Sequence, residues 1–434
     1  MDEALLKKAQ DRVDYEAAHD PNVKQIIRIV EDFLKSTQVL CYGGTAINNL
    51  LPPKDRFYDP EYDIPDYDFY SKEPQLHALR LADKYSKAGF KSVEVKPGVH
   101  LMTYKVFVSF MGVADITFLD PKIFDNLWKE DIHKEGIHYV SPNFLRISMY
   151  LELSRPRGDI ERWKKVYERL MLLNKHYSVG CKTGEETSNP NTLTAQERKK
   201  IEHILHGKDL VLLGSHATEL HSKSRKNLWN VPIDVLSVDV ESKVDAFVEV
   251  FGEDRVKVMK QPAYAELLPV HVDIVEIETG FLLVRIFQTA GCHSYHELQN
   301  GLKVASIPTL LQFFMGFVYA DAHFLEGYDE NRIICISQRL VDLAHSKKAS
   351  RRFELLTPIE CIGKQSTLRD IKAHTAEIKE KTSKKSSDFL KFFFMYKPGT
   401  LTGTQKQKLR KSLKETMRRG RTDDQLDLVA DKTD

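Results

Sequence analysis

The segment YDIPDYDFYS, residues 62–71, places two aspartates, Asp66 and Asp68, on either side of Tyr67. If this segment is a β-strand, side chains two positions apart face the same side of the sheet. Two carboxylates on one face repel each other unless a positive charge lies between them. A divalent cation supplies that charge, and Mg²⁺ prefers carboxylate oxygens together with substrate phosphates. The segment therefore predicts a strand that carries metal ligands, with a polar turn after Pro65 as the alternative interpretation.

A glycine turn lies about 20 residues before this strand. QVLCYGG (38–44) predicts a short strand that ends at Gly43 and Gly44, and TAINNLL (45–51) predicts a helix that starts near Thr45. Glycine lets the backbone approach a ligand closely, and free amides at a helix N-terminus favour anions. The turn is therefore a candidate phosphate site, although an ordinary tight turn fits the same residues.

A third carboxylate stands in a second apolar strand. GVADITFLD (112–120) is apolar on both sides of Asp115. A carboxylate between Ala114 and Ile116 is costly to bury unless it is paired or bound to a metal. Three carboxylates on adjacent strands beside a glycine turn predict a two-metal site for phosphoryl transfer. The alternative for Asp115 is a salt bridge within the sheet.

The order of these features resembles the signature of the polymerase-beta-type nucleotidyltransferase superfamily, which is a glycine turn, an Asp-x-Asp strand and a later strand carboxylate. Three segments are most similar to the poly(A) polymerase catalytic subunits of large DNA viruses, of the poxvirus, mimivirus and asfarvirus type. They are CYGGTAINNLLP (41–52), IPDYDFYS (64–71) and SPNFLRISMYLELSRPRGDIERWKKVYERL (141–170). The resemblance covers residues 20–175 well and the rest loosely.

The resemblance implies a catalytic role for three residues, Asp66, Asp68 and Asp115. They would hold two Mg²⁺ or Mn²⁺ ions, of which one activates the attacking 3′-hydroxyl and the other stabilises the leaving pyrophosphate. The turn at residues 43–45 would bind the triphosphate. The implied reaction is template-independent transfer of AMP from ATP to RNA 3′ ends, that is, mRNA polyadenylation.

Two other functions stay open. The chain could be another RNA nucleotidyltransferase (CCA-adding, uridylyl-transferring or oligonucleotide-synthesising), because spacing does not identify the base-selecting pocket. It could also be an inactive RNA-binding or processivity subunit, which the intact carboxylates argue against. The resemblance further implies RNA 3′ ends and ATP as partners, a homodimer or a processivity subunit as possible assemblies, and a cytoplasmic location in a viral factory or virion.

A basic segment follows the last of these strands. SRPRGDIERWKKVYERL (154–170) predicts a helix that begins near Asp159. Its candidate nucleotide-binding residues are Arg157, Lys164 and Lys165. Trp163 is interpreted as a core residue, and Arg146, in the helix expected after Pro142, is a further phosphate-binding candidate.

A second basic region lies near the C-terminus. Residues 364–421 carry 17 Lys and Arg against 5 Asp and Glu, whereas the whole chain has a net charge of +2. A basic end on an acidic body suggests a polyanion partner, with a solvated tail as the alternative. The candidate RNA-binding residues are Lys408, Arg410, Lys411, Arg418 and Arg419. Three apolar residues spaced four apart predict instead a stripe that docks this helix on the body: Leu409, Leu413 and Met417.

Four segments of the first half recur in the same order in the second half. VLCYGGTAINNL (39–50) resembles LVLLGSHATELH (210–221), IPDYDFYS (64–71) resembles VPIDVLS (231–237), VADITFLD (113–120) resembles HVDIVEIE (271–278), and VSPNFLRISMYLEL (140–153) resembles ASIPTLLQFFMGFV (305–318). Each copy begins with a predicted capped helix, the first at Asp20 and the second at a capping box of Thr194 and Glu197. The chain therefore reads as a duplicated unit.

The second copy lacks the paired carboxylates. Pro232 stands in place of Asp66, so that only Asp234 and Asp273 remain as counterparts of the other two aspartates. The predicted fold is α+β, with two tandem nucleotidyltransferase-like α/β units, the second degenerate, and a basic C-terminal extension. The predicted domains are a catalytic domain (1–180), a degenerate domain (190–400) and a basic helix and tail (401–434). The polar stretch SVGCKTGEETSNPNTLT (178–194) is the expected linker, and DFLKFFFMYKPG (388–399) is expected to pack on the second copy.

Composition excludes several classes of protein. The 434 residues are enough for two or three domains. The chain opens Met-Asp-Glu without a basic segment and apolar block, and it has no run of about 18 apolar residues, so neither a secretory signal nor a membrane span is expected. The five cysteines are scattered without CxxC spacing, which favours a reducing compartment and argues against a zinc module.

Overall fold

A computed structural model describes residues 2–182, 193–222, 229–265, 267–320, 329–345, 358–384 and 386–419. The chain forms two compact units. Unit 1 comprises Met1–Ser141 and Leu368–Asp434, and unit 2 comprises Pro142–Thr367. These bounds differ from the predicted domain limits at residues 180 and 400, because residues 142–180 belong to unit 2 and the C-terminal helices belong to unit 1.

The N-terminal part of unit 1 alternates helices and short strands. Its helices are α1 (Glu3–His19), α2 (Pro21–Ser36), α3 (Gly43–Leu50), α4 (Pro74–Lys87) and α5 (Pro121–Lys129), with a 3₁₀ turn at Pro53–Asp55. Its strands are β1 (Leu40–Tyr42), β2 (Tyr67–Ser71), β3 (Val93–Pro97), β4 (Thr103–Val108), β5 (Met111–Phe118), β6 (Ile132–Lys134) and β7 (Ile137–Tyr139).

Unit 2 follows a similar succession. Its helices are α6 (Pro142–Leu153), α7 (Trp163–His176), α8 (Ala195–Leu205), α9 (Gly214–Ser222), α10 (Val240–Phe251), α11 (Ile307–Tyr319) and α12 (Glu330–His345), with a 3₁₀ turn at Ile160–Arg162. Its strands are β8 (Leu210–Leu212), β9 (Ile233–Ser237), β10 (Val256–Gln261), β11 (His271–Glu276), β12 (Leu282–Gln288), β13 (His293–Glu297), β14 (Lys303–Ala305) and β15 (Cys361–Ile362). The chain then returns to unit 1 through α13 (Leu368–Lys381), α14 (Ser387–Phe393) and α15 (Gly403–Arg419).

Both predicted helix starts are confirmed. The Asp20 carboxylate accepts a hydrogen bond from the amide of Asn22 at 2.6 Å, and Pro21 is the first residue of α2. Thr194 and Glu197 form the reciprocal capping box that begins α8. Because the caps satisfy amides that the first helical turn leaves unpaired, the local sequence alone fixes these two helix starts.

The sheet of unit 1 has the strand order β3-β4-β5-β2-β1-β7-β6. Tyr67, Phe69 and Tyr104 are buried on the face that α2 and α4 cover, and we call this the apolar face of the sheet. Asp68 and Asp115 lie at the alternate positions, which point to the opposite, polar face. The predicted Asp-x-Asp segment is therefore a strand that begins at Tyr67, directly after Asp66.

The sheet of unit 2 has the order β10-β11-β12-β9-β8-β14-β13-β15. Apart from the added β15, each strand occupies the place of one strand in the first sheet, which supports the predicted duplication. The α+β class of the fold is confirmed. The last helices of the two copies, α6 and α11, pack against each other within unit 2.

One predicted correspondence within the repeat is wrong. β12 of unit 2, rather than β11, occupies the place of β5, because β12 pairs in parallel with β9 as β5 pairs with β2. Arg285 lies opposite Asp234 in unit 2, whereas Asp115 lies opposite Asp68 in unit 1. Arg285 is therefore the counterpart of Asp115, and Asp273 lies one strand farther out.

The expectation that residues 388–399 pack on the second copy is also wrong. Tyr396 exchanges backbone hydrogen bonds with Val95 of β3, at 2.7 and 3.1 Å. Phe392 and Phe393 form a buried cluster with Ile378 of α13. This apolar segment therefore completes the core of unit 1, to which the chain returns after leaving it at residue 141.

Four of the five cysteines are paired in disulfide bonds, Cys181–Cys335 and Cys292–Cys361, and Cys41 is free and buried. The interpretation that scattered cysteines indicate a reducing compartment is therefore not supported. The partners are 154 and 69 residues apart in sequence, so spacing rules that search for nearby cysteines do not detect them.

Most of the predicted linker, and the tail from Arg421 that composition predicts to be disordered, lie outside the described residues. In the described part of the chain, each helix is too short or too polar to cross a lipid bilayer.

Candidate active site

The glycine turn joins β1 to α3. Gly43 has a φ of +76°, and a Cβ atom at this position would lie 2.4 Å from Oδ2 of Asp68. Any side chain would therefore collide with the carboxylate, and glycine is required for two independent reasons. Tyr42, the N-cap residue of α3, makes no side-chain capping bond. The first amides of the helix thus have no side-chain cap and suit an anionic ligand, as predicted.

Thr45, predicted to bind the triphosphate together with Gly43 and Gly44, is the third residue of α3. Its hydroxyl is buried and donates a 2.6 Å hydrogen bond to the backbone carbonyl of Asp66. Asn48, one helical turn later, accepts hydrogen bonds from the amides of Phe57 and Tyr58, both at 2.9 Å. The side chains of α3 therefore hold the segment that leads to the acidic strand, and any contact of Thr45 with a triphosphate would be through its backbone.

The three aspartates lie side by side at the edge of the polar face. Asp68 of β2 and Asp115 of β5 are direct partners in the parallel strand register. Neighbouring strands are about 4.8 Å apart, so that their carboxylates are within reach of one ion. Asp66 immediately precedes β2. The structure thus places Asp68 and Asp115 next to each other, with Asp66 two residues before Asp68.

Electrostatics couple these groups. Partial burial and then the negative charge of Asp115 raise the pKa of Asp66, while the nearby Lys105 ammonium opposes this effect. Lys105 of β4 lies directly opposite Asp115 and its ammonium contacts Oδ2 of that carboxylate. The predicted alternative for Asp115, a salt bridge within the sheet, is therefore present in the structure.

The donor set suits Mg²⁺ or Mn²⁺, because these ions prefer carboxylate oxygens that stay open to water and to phosphates. In the ranges that the structure describes, however, no three acidic, His or Cys side chains already converge on one point. The Lys105 ammonium contacts Oδ2 of Asp115, so an ion bound at these residues would lie close to a second positive charge.

Sequence reasoning missed a group of polar and aromatic residues beside the carboxylates. Tyr42 and Tyr70 stack with ring centroids 3.9 Å apart. The Tyr42 hydroxyl is 2.9 Å from that of Thr117, which is 3.1 Å from the hydroxyl of Thr103. Tyr70 and Thr117 are two positions after Asp68 and Asp115, so strand alternation was the available signal. Stacked aromatic rings and hydroxyls suit contact with a base and a ribose.

The basic residues predicted to bind the nucleotide lie in unit 2, whereas the carboxylates lie in unit 1. Arg157, Lys164 and Lys165 are all exposed. The pKa of Lys165 is lowered, chiefly by the charge of Arg169, which agrees with the prediction that both lie on one helix face. Trp163 is half-buried and donates a 3.0 Å hydrogen bond to the carbonyl of Glu152, as expected of a core residue.

Arg146 does not bind phosphate as suggested. Its side chain is fully buried and donates hydrogen bonds to Asn174 at 2.7 Å, to Asn143 at 2.6 Å and to the carbonyl of Tyr177. This guanidinium holds α6, α7 and the segment after α7 together, and it is not accessible to a ligand.

The corresponding place in unit 2 is closed. Nε of Arg285 lies 2.9 Å from Oδ1 of Asp273, and both side chains are almost fully buried. A cavity of only about 10 Å³ remains beside Asp234 and Gly214, where Phe313, Phe314 and Phe317 of α11 line it. A cavity of this volume holds about one water molecule, so a nucleotide does not fit.

The basic helix α15 docks on α4 of unit 1. Leu413 is buried, and Asp83 of α4 forms ion pairs with Lys406 at 2.5 Å and Arg410 at 3.3 Å. The predicted docking stripe is confirmed at Leu413. The side chains of Met417, Arg418 and Arg419 lie outside the described part of the helix.

A basic groove remains between the two helices. It has a volume of about 360 Å³ and is lined by Leu76, Arg80, Arg410, Lys411 and Lys414. Among the residues that the structure describes, no acidic side chain forms an ion pair with Arg80, Lys411 or Lys414. Lys408, also predicted to bind RNA, is exposed on the same helix.

Comparison with known proteins identifies similar sequences. The family model described as "Poly(A) polymerase catalytic subunit" matches residues 28–159, which include the glycine turn and all three aspartates. A protein of Acanthamoeba polyphaga mimivirus, named as a poly(A) polymerase catalytic subunit, is 33% identical over 160 residues, which are 36% of this chain and 27% of that protein. A protein of the same name from African swine fever virus (isolate Tick/Malawi/Lil 20-1/1983) is 29% identical over 168 residues, which are 37% of this chain and 35% of that protein. The matched part of the chain thus spans about a third or less of the length of these relatives.

A solved structure is similar over nearly the whole chain. The Megavirus polyadenylate synthase superimposes with a TM-score of 0.77 and covers 95% of this chain and 88% of its own. At 21% sequence identity the likeness shows the fold. The resemblance predicted from the motifs is confirmed over residues 28–159, and the fold of the described residues agrees with it.

Proposed function

We propose that this chain, whose residues 28–159 match the poly(A) polymerase catalytic subunit family, is a polynucleotide adenylyltransferase. It transfers AMP from ATP to the 3′ end of RNA. The observation that carries the proposal is the register pair of Asp68 and Asp115 on one face of a sheet, with Asp66 directly before the same strand and a helix N-terminus at Gly43 beside it. The names of the viral relatives support adenylate as the transferred group.

The chain's own residues would divide the work as follows. Asp66, Asp68 and Asp115 would hold two divalent cations, which activate the 3′-hydroxyl and neutralise charge on the triphosphate. The first amides of α3, at residues 43–45, would bind phosphate oxygens in line with the helix dipole. The 3′-oxygen bonds to the α-phosphorus, the α–β phosphoanhydride bond breaks, and pyrophosphate leaves. One of the three carboxylates would accept the hydroxyl proton.

The direct test is to incubate the protein with a short RNA, Mg²⁺ and each NTP in turn, and to measure product length on a gel. Extension with ATP alone supports the proposal. Extension with UTP, or addition of a fixed CCA end, would support one of the other RNA nucleotidyltransferases. RNA binding without extension by any NTP would support an inactive binding subunit. The viral relatives favour a role in the virus-infected cell, and the viral factory, the virion, a homodimer and a processivity subunit stay predictions.

We infer that unit 2 is catalytically inactive. Pro232 replaces the first aspartate, Arg285 replaces the third, and α11 leaves no space for a nucleotide. In unit 2 the buried Arg285 guanidinium neutralises the charge of Asp273. At the corresponding place unit 1 has carboxylates that a ligand can reach.

Replacement of Asp234 by Asn is therefore expected to leave RNA extension within roughly threefold of wild type, because a group that does not contact the transition state does not change the barrier. Initial rates on a labelled RNA give the comparison, and thermal unfolding shows whether the buried substitution lowers stability. Loss of extension by a variant that is still folded would contradict the inactive assignment.

RNA binding is assigned to the groove between α4 and α15 and to the exposed face of α15. Lys408, Arg410 and Lys411 were predicted from the sequence, and the structure adds Arg80 and Lys414. The groove is supported by its positive charge, since the described residues that line it include Arg80, Arg410, Lys411 and Lys414, and Asp83 of α4 already pairs with Lys406 and Arg410. Arg157, Lys164 and Lys165 in unit 2 stay candidates for contact with phosphates, and so do Arg418 and Arg419.

We expect a weaker salt dependence of RNA binding when Lys408, Lys411 and Lys414 are all changed to Gln. Each phosphate contact contributes about 0.7 to the slope of log affinity against log salt concentration, so the loss of three contacts should reduce that slope by about 2. None of these lysines makes the Asp83 ion pairs that dock α15, so the helix stays in place. Fluorescence anisotropy at several salt concentrations measures the slope. The matched control changes Lys199 and Lys200, exposed on α8, and should leave the slope unchanged. An unchanged slope in the triple variant would eliminate this RNA surface.

A further inference from the structure

Lys105 lies beside the third carboxylate of the candidate site, on the neighbouring strand β4, and no feature of the predicted motif accounts for it. In the strand register it lies opposite Asp115 on one side and opposite Lys96 on the other. Its ammonium contacts Oδ2 of Asp115, with 38% of the lysine side chain and 21% of the aspartate side chain exposed. Lys96 directs its own ammonium to Glu94 instead. The two neighbouring lysines thus have different partners, and Lys105 holds a candidate metal ligand.

A purely structural role explains this pair poorly. Exposed ion pairs add little to stability, and like charges opposite each other in a sheet are unfavourable. Unit 2 shows how the fold builds a structural pair at the same place. There the charges are exchanged between the strands, with Asp273 at the place of Lys105 and Arg285 at the place of Asp115, and both side chains are buried. The pair in unit 1 is instead only partly buried, so that solvent and ligands can reach it.

A cation bound to Asp115 would lie within a few ångströms of the Lys105 ammonium on Oδ2. Two positive charges at that distance repel, so the ammonium weakens cation binding until it moves away. The lysine stem has four flexible carbons, and its ammonium is a compact donor that suits phosphate. When ATP binds beside the turn at residues 43–45, its triphosphate offers the ammonium a partner of higher negative charge.

We propose that Lys105 is a positioning residue that occupies the third carboxylate until the nucleotide arrives, and then moves to the triphosphate. This inference rests on the proposed function, because it uses the same carboxylates as metal ligands. Its consequence is coupling: the divalent cation binds weakly to the free protein and more tightly once a triphosphate has drawn Lys105 away. By linkage, the cation strengthens nucleotide binding by the same factor.

The test measures Mn²⁺ binding by the electron paramagnetic resonance signal of free Mn²⁺, first without nucleotide. The Lys105→Met variant is expected to bind Mn²⁺ about 3- to 10-fold more tightly than wild type, because one competing charge is gone. Lys105→Arg keeps the charge and should behave more like wild type. Lys96→Met is the matched control, because it removes the neighbouring lysine on the same face. It should change the affinity for Mn²⁺ less than twofold, because the charge of Lys96 is farther from Asp115.

The second measurement adds α,β-methylene-ATP, which presents a triphosphate but resists cleavage between its α- and β-phosphates. Wild type should gain Mn²⁺ affinity with this analogue by a larger factor than Lys105→Met does. Equal Mn²⁺ affinities of wild type and Lys105→Met, with and without the analogue, would overturn the role of Lys105 alone. If wild type binds no Mn²⁺ even with the analogue, or Asp68→Asn binds it equally well, the assignment of the carboxylates as metal ligands fails, and this inference fails with it.

Discussion

Asp68→Asn is expected to abolish RNA extension, with the rate falling by roughly 10³-fold or more. Charge stabilisation by a bound metal is worth several kcal/mol, and each 1.4 kcal/mol is a factor of ten in rate. Asp68 is the central carboxylate, since it lies in register with Asp115 and two residues after Asp66. Asparagine has nearly the same shape, so the strand and its neighbours should be retained.

Single-turnover extension of a labelled RNA measures the effect. Affinity for RNA should stay unchanged, because the basic groove involves other residues. Asp234→Asn is the matched control, as the same substitution at the corresponding strand position of unit 2. Extension by Asp68→Asn at close to the wild-type rate would refute the assignment of the Asp66–Asp68 strand.

Gly43→Ala is expected to reduce the rate of RNA extension by about 10²-fold or more. The substitution removes no charge but displaces groups of the candidate site. The added methyl group would lie 2.4 Å from Oδ2 of Asp68, so either the turn or the carboxylate must shift. A displacement of about 1 Å at reacting groups can cost 10²-fold in rate. The positive φ of +76° adds strain, and we expect a further loss of roughly 1–3 kcal/mol in the free energy of unfolding.

Gly89→Ala separates the two effects. Gly89 has a φ of +99° but no atom within 4 Å of an added Cβ, so this variant carries the backbone strain without the collision. It should lose stability to a similar extent and keep its extension rate. If Gly43→Ala and Gly89→Ala reduced the extension rate by the same factor, the collision with Asp68 would not explain the loss. The glycine turn would then be only a tight turn.

The local features of the site were predictable because they depend on neighbours in sequence. Strand alternation places Asp66 and Asp68 on one face, and the order of strand, glycines and helix indicates an anion site at Gly43. The caps at Asp20 and Thr194 depend on residues two or three positions away. Each of these inferences uses only chain geometry over a few residues; the two helix caps and the strand that carries Asp68 are found as predicted, and the anion site stays a prediction.

Several features depend on contacts between distant segments, which no short pattern contains. The Thr45 hydroxyl bonds to a carbonyl 21 residues away, and Tyr104 contacts the carbonyl of Lys391 across 287 residues. The pairs of cysteines were missed for the same reason. The error in matching Asp273 to Asp115 has a related cause, since both β11 and β12 read as apolar strands, and only the order of hydrogen-bonded strands distinguishes them.

The sequence by itself determined that one copy keeps the three carboxylates and that the other loses the first of them to Pro232, because residue identity is independent of folding. Only the tertiary structure decided what stands beside those carboxylates. Lys105 reaches Asp115 because β4 pairs with β5, and Arg285 closes unit 2 because β12 pairs with β9. Charges act through space over a few ångströms, and the register of neighbouring strands sets which charges are that close.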